Sequence, residues 1–159
     1  MGRNHIYKST VSWTGNRGTG TLEYDGYSRD HHIFGQGKPV IEGSSDPSFR
    51  GDSSKYSPED LLVSSLSACH MLWYLHLCAV NGVVVIDYSD AAVGEMSENA
   101  DGSGQFTQVT LYPHVTVSEP RMIEKAKALH DDAHRMCFIA RSVNFPLFHN
   151  AEVTCYEKA

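Results

Sequence analysis

Basic clusters, cysteine pairs and export signals are all lacking in this chain of 159 residues. Its 13 Lys and Arg residues are outnumbered by 19 Asp and Glu, for a net charge of −6, and they form no block. Binding to a phosphate backbone or an anionic lipid surface rests on clustered cations. Nucleic acid and membrane are therefore not expected partners. Cysteine is sparse, at positions 69, 78, 137 and 155, with no Cys-x-x-Cys spacing. That excludes a disulfide scaffold, a locally written zinc knuckle and a thioredoxin-type dithiol. Chemistry between two of these sulfurs must be assembled by the fold. The opening residues, Met1 to Lys8, hold no apolar core of signal-peptide length, so a cytoplasmic location is expected.

What is present suits one folded domain over 1–159: 41% hydrophobic and 20% charged residues. The stretch from Leu61 to Val80 lacks Asp, Glu, Lys and Arg and has the length of a membrane span. It also contains Ser64, Ser65, Ser67, His70 and His76, which favours a buried central helix. Its start is well marked. Ser57 can cap, Pro58 suits the first helical position, and Glu59 and Asp60 sit at the positive end of the dipole. Asn81-Gly82 marks the stop. Apolar residues surround this helix, so it is expected to be covered by protein on most sides, more than one small sheet supplies. That points to a dimer.

Ahead of the helix, residues 5–14 read as a strand and Gly15-Asn16-Arg17-Gly18-Thr19-Gly20 as a hairpin turn. A second strand is expected through Thr21, Leu22 and Tyr24, a third near His31–Phe34 and a fourth near Pro39–Glu42. Residues 43–57 form a long Gly-, Ser-, Asp- and Pro-rich loop, and long loops in compact domains are often functional. After the helix, 83–95 and 106–117 read as two long strands, with Pro113 marking an edge or bulge. A second helix follows Ser118-Glu119-Pro120 and is expected to bury Met122, Ala126, Leu129, Ala133 and Met136. Residues 138–143 suggest a short helical turn and 150–157 a last strand. The fold class is α+β, an antiparallel sheet packed on a long central helix.

Two cysteines stand where chemistry is conceivable. Cys69 sits mid-helix with Leu66, Leu72 and Trp73 one turn away, an apolar wall that by itself raises a thiol pKa. It lies beyond reach of the helix dipole, so reactivity requires a cation, with Arg50, Arg29 and Arg17 as candidates. Cys137 ends the second helix, on one side with His130 and His134 at i, i+4 and i+7. That arc could offer three metal ligands, with a fourth donor from Cys69, His70 or His76. The two histidines read equally as solvated groups at a helix C-terminus, where imidazolium is favourable. A metal-binding or redox-sensing protein built on Cys69, Cys137, His130 and His134 is the alternative function.

Taken together, Ser57-Pro58-Glu59-Asp60-Leu61-Leu62, Leu66-Ser67-Ala68-Cys69 and Cys137 resemble the family of osmotically inducible and organic-hydroperoxide-resistance proteins (OsmC/Ohr). Trp13-x-Gly15 followed by Gly18-x-Gly20 is similar to the first hairpin of its OsmC branch. The resemblance implies an OsmC-like fold, an intertwined homodimer and a cysteine-based peroxidase with no cofactor. Cys69 matches the peroxide-attacking thiol and Cys137 the resolving thiol. Glu59 matches the glutamate that orients an arginine beside the thiolate. For that arginine, Arg50 is nearest in position, with Arg29 and Arg17 behind it. Ten helical residues place Glu59 about 15 Å from Cys69, so Glu59 would serve the site from a partner chain. The resemblance further implies small organic hydroperoxides as substrates and an external dithiol, of lipoyl or thioredoxin type, as reductant. His70 stands where the family has an apolar residue, and Phe138-Ile139-Ala140 replaces its usual Pro-Val-Ser after the second thiol. Cys78 and Cys155 match no family role and read as structural.

Overall fold

The computed structural model describes residues 2–157 and divides into two units, one up to Leu61 and one from Leu62 onward. In the first unit β1 (Thr10–Trp13), β2 (His31–Phe34) and β3 (Ile41–Gly43) form an antiparallel sheet in that order. The strand expected through Thr21–Tyr24 is absent, and these residues lie in turns. Local chemistry explains the correction. Asn16 Oδ1 accepts from the Gly18 and Gly20 N–H groups, at 2.9 and 3.0 Å, and both glycines take positive φ. A side chain that satisfies nearby backbone donors competes with a strand ladder. The loop after β3 holds a short 3₁₀ turn at Pro47–Phe49 and returns to bridge Gly43 with Tyr56.

The long helix α1 (Pro58–Val80) begins where its cap residues place it. Ser57 Oγ accepts from the Asp60 N–H at 3.1 Å, and the Asp60 carboxylate accepts from the Ser57 N–H at 2.9 Å. This is a capping box with Asp in the place of Glu, and losing such a cap costs about 1 kcal/mol. Gly82, at φ 73°, ends the helix, where a side chain would be strained. Within one chain, however, the wholly buried residues of α1 are only Leu66, His70, Tyr74 and Cys78, a single stripe at i+4 spacing. The expectation of cover on most sides is not met by the chain alone. Leu72 and Val80 are about two-thirds exposed.

The second unit continues with β4 (Val85–Asp90), β5 (Val93–Glu98), β6 (Gly104–Leu111), β7 (Pro113–Val117), α2 (Ile123–Met136), β8 (Leu147–His149) and β9 (Glu152–Cys155). Each of the two long expected strands is broken in two, and the breaks lie opposite one another. Asp90 pairs with Pro113, and Val93 pairs with Thr110. Pro113 has no N–H for a ladder, and the Tyr112 N–H is taken by Asp90 Oδ1 at 2.7 Å. Two three-stranded sheets result, in the orders β4-β7-β9 and β5-β6-β8. Nor are they purely antiparallel, because β6 with β8 and β7 with β9 run parallel. Parallel pairs need a long crossover, and α2 supplies it for both.

Val109, Leu111, Val115 and Val117 share the buried face of β6 and β7, as the alternation predicts. Leu66, Val109, Leu111 and Leu147 form one core cluster, and Tyr74, Val115, Val117, Ala126, Leu129 and Ala133 belong to another. Truncating such a leucine to alanine costs about 2–5 kcal/mol. Met122, just ahead of α2, and Ala126, Leu129, His130 and Ala133 on it form the buried stripe, while Met136 is 44% exposed. Met136, expected inside, is therefore on the surface, and His130, expected as a metal ligand or a solvated group, is buried. The side chain replacing Met136 at the base of the stripe is Cys137, where the backbone leaves the helix.

Candidate active site

The stripe of α1 and the end of α2 bring two sulfurs together. Cys137 is fully buried, and the thiol of the half-buried Cys69 is its sulfur neighbour. Burial first, and that neighbour second, push the Cys137 thiol up to about 11. Cys137 is thus a thiol that holds its proton at neutral pH. The Ala140 N–H donates to Cys137 Sγ at 3.4 Å, fixing the sulfur from the other side. All four cysteines are free thiols. Cys78 is buried against the core with its pKa raised by burial, while Cys155 is half-buried on β9.

Outside Cys69 lies an apolar cavity of about 350 Å³ lined by Cys69, Leu72, Trp73, His76 and Phe138. Trp73 meets Phe138 edge-on at 5.5 Å and His76 edge-on at 5.8 Å. The cavity opens on the thiol of one helix and is walled by the segment that follows Cys137. It can therefore admit an apolar molecule to one sulfur while the second waits behind it.

In the first unit the three candidate arginines line one cavity. Arg17, Arg29 and Arg50 share a space of about 460 Å³ with Asp25, Asp30 and Asp52. Arg29 is committed to its own loop. Its terminal nitrogens donate to the Tyr24 and Tyr27 carbonyls at 2.8 Å, and its guanidinium lies over both rings, 4.6 and 4.2 Å from their centres. Arg50 stands over Tyr24 at 5.7 Å, and among the described residues neither its guanidinium nor that of Arg17 has a hydrogen bond or ion pair. Arg50 adopts a left-handed φ of 64°, which costs a side-chain residue energy and requires the surrounding loop to hold it. Gly51 provides that loop's close approach, since a Cβ there would come 1.5 Å from the Ser45 carbonyl oxygen. Glu59, in the first turn of α1, is half-buried with Oε2 out of water and unpartnered. A carboxylate oxygen so placed lacks the cation or donor it needs.

Behind the two thiols is a cluster that the sequence reading did not assemble. His70 on α1 and His130 on α2 are wholly buried, with His70 Nε2 and His130 Nδ1 3.0 Å apart. Tyr74 stacks on the His130 ring at 3.9 Å. His149 of β8 packs against His70, His130 and His134 with ring centres 5.6, 5.9 and 6.0 Å away. Burial is the first cause that lowers His70 to about 4 and His130 to about 3, and it lowers His134 as well. All three are neutral at pH 7. His149 stands on a strand of three residues beside Pro146, too short to show a pattern in the sequence. His130 was legible, directly after Leu129 on the apolar stripe. The arc of His130, His134 and Cys137 is not drawn into a ligand set, and among the described residues no three His, Cys, Asp or Glu side chains converge to hold a metal ion.

With this geometry in hand, comparison with known proteins places the chain. No curated protein matches it. An OsmC-like protein of unknown function from Vibrio cholerae shares 29% identity and a TM-score of 0.83, over 94% of this chain and 100% of that one. An organic hydroperoxide resistance protein from Elizabethkingia anophelis shares 16% identity and a TM-score of 0.65, over 97% and 100%. An organic hydroperoxide resistance protein OsmC from Legionella pneumophila shares 15% and 0.63, over 95% and 99%. At these identities the last two show the fold alone. The profile of the OsmC-like protein family matches residues 51–151, which span α1, both thiols and the histidine cluster, and the chain belongs to that family.

Proposed function

We propose that the protein is a cysteine-based peroxidase that reduces alkyl or lipid hydroperoxides, working as a homodimer in the cytoplasm. The observation that carries the reading is that the Cys69 and Cys137 thiols are neighbours, with an apolar cavity opening on Cys69. Relatives named organic hydroperoxide resistance proteins direct the chemistry toward peroxides.

The steps follow from sulfur chemistry. The Cys69 thiolate attacks the hydroxyl-bearing oxygen of the peroxide, the O–O bond breaks, a sulfenic acid forms on Cys69, and the alkoxide takes one proton from solvent to leave as the alcohol. Cys137 then attacks that sulfur, a disulfide forms and water leaves. An external dithiol of lipoyl or thioredoxin type reduces the bridge by exchange. Leu72, Trp73 and Phe138 favour a substrate with an apolar body over hydrogen peroxide.

A thiolate in an apolar wall needs a cation. Arg50, with Arg17 beside it, is the candidate, and Arg29 is disfavoured by its bonds to its own loop. Glu59 would orient that arginine, and its unpartnered Oε2 supports the assignment. Glu59 and Cys69 lie about 15 Å apart along α1, so Glu59 would act at the Cys69 of a second copy. The uncovered apolar face of α1, with Leu72 exposed, supports such a pairing.

One equivalent of cumene hydroperoxide, followed by peptide mapping, tests the scheme. A Cys69–Cys137 disulfide in the wild type, and a trappable Cys69 sulfenic acid in Cys137→Ser, are expected. Oxidation at Cys155 or Cys78 with Cys69 untouched would refute it.

A further inference from the structure

The cavity outside Cys69 has a second chemical end. Four of its five lining residues, Cys69, Leu72, Trp73 and His76, come from two turns of α1, and the fifth is Phe138. Cys69 and His76 are seven positions apart, about 10 Å along the axis and about 20° short of two full turns. The thiol and the imidazole therefore stand at opposite ends of one helical face. Leu72 and Trp73 lie between them, and the exposed Phe138 ring meets Trp73 edge-on. The wall is apolar along its length, with an ionisable side chain at each end.

His76 is set apart from the histidine cluster. His70, His130, His134 and His149 pack on one another behind the thiols. His76 is exposed, and the aromatic ring it meets is Trp73, at 5.8 Å. Among the described residues neither of its ring nitrogens has a hydrogen bond or ion pair. An imidazole in either charge state carries at least one N–H and can donate to an oxygen. A single polar group on the wall of an apolar cavity fixes which way round a ligand lies and which ligands are held.

We propose that His76 is the specificity-determining residue of this cavity, donating to the oxygen-bearing end of a chain whose other end lies at Cys69. The ligand class is an amphipathic chain. Its carboxylate or ester carbonyl sits at His76, its apolar body lies along Leu72, Trp73 and Phe138, and its reacting group reaches the thiol about 10 Å away. The identity of that reacting group, a hydroperoxide, rests on the peroxidase reading. Recognition of the far end does not, and its test uses no peroxide.

The test is protection of Cys69 from iodoacetamide in the reduced full-length protein, read at each cysteine by peptide mapping. Decanoate has the apolar body and the carboxylate but no peroxide. It is expected to slow alkylation of Cys69 and to leave the half-buried Cys155 of β9 unchanged. Half-protection should need about tenfold more decanoate in His76→Leu, the worth of one hydrogen bond. His76→Gln keeps an N–H donor and should restore most of the loss. Methyl decanoate tells the two oxygens apart: equal protection assigns a carbonyl at His76, and weaker protection assigns a carboxylate. Equal protection in wild type and His76→Leu, no protection of Cys69, or equal protection of Cys155 would overturn the assignment. A wild type that shows the His76-dependent protection yet leaves peroxides intact would sink the peroxidase reading alone.

Discussion

His70 Nε2 and His130 Nδ1 lie 3.0 Å apart with both rings out of water, one ring on each of the helices that carry the two thiols. The pair ties α1 to α2 one residue from Cys69, and burial holds both rings neutral at pH 7. Protonating either would place a charge in the core beside a second histidine.

Stability should therefore fall in acid. The folded pKa values are lowered to about 4 and about 3 from 6.5, so below pH 6.5 the unfolded chain takes up protons that the folded one refuses. The contribution is complete above pH 6.5 and is lost as pH falls toward 4 and then 3, on the order of a few kcal/mol in total. Urea midpoints measured between pH 7.5 and 4.5 should drop steeply in the wild type and more gently in His70→Gln/His130→Gln. Equal slopes in the two proteins would contradict the assignment.

Gly51→Ala should disable the arginine loop. The added Cβ meets the Ser45 carbonyl oxygen at 1.5 Å, and the loop also depends on the Gly51 N–H bond to the Asp46 carbonyl at 3.1 Å. Displacing Arg50 by an ångström or more is expected to lower peroxide turnover by about 100-fold.

Phe138→Ala separates substrate fit from stability. The ring is 67% exposed and walls the cavity through its edge contact with Trp73. Unfolding should change by no more than about 0.5 kcal/mol. The kcat/KM for cumene hydroperoxide should fall by about tenfold, the value of a lost apolar contact in a pocket, and that for hydrogen peroxide should hold. Equal losses for the two peroxides would mean that the cavity does not select the substrate.

Local signals carried much of the fold into view. The cap at Ser57-Pro58-Glu59-Asp60 and the stop at Asn81-Gly82 depend on neighbours in the chain, and α1 spans Pro58–Val80 between them. The period-two pattern of Val109 to Val117 names its buried face for the same reason. The paired breaks at Asp90 and Pro113 and the parallel returns of β8 and β9 depend on partners far away in sequence. The turns at Thr21–Tyr24 were hidden because Asn16 and Arg29 hold them from outside the segment. Within the site, Cys69 and Cys137 were singled out by resemblance, and Arg17, Arg29 and Arg50 by the need for a cation. The placing of His149 emerges only from packing, while the burial of His130 is signalled only by its place after Leu129 on the apolar stripe, against the polar Asp131 and Asp132 that follow it.

The central claim is tested most directly by mixing the reduced protein with cumene hydroperoxide or hydrogen peroxide in a stopped-flow instrument, beside Cys69→Ser. Rapid consumption of the organic peroxide, slower consumption of hydrogen peroxide, and loss of both in Cys69→Ser are the results predicted. No consumption of either peroxide by a protein whose Cys69 titrates as a free thiol would contradict the account.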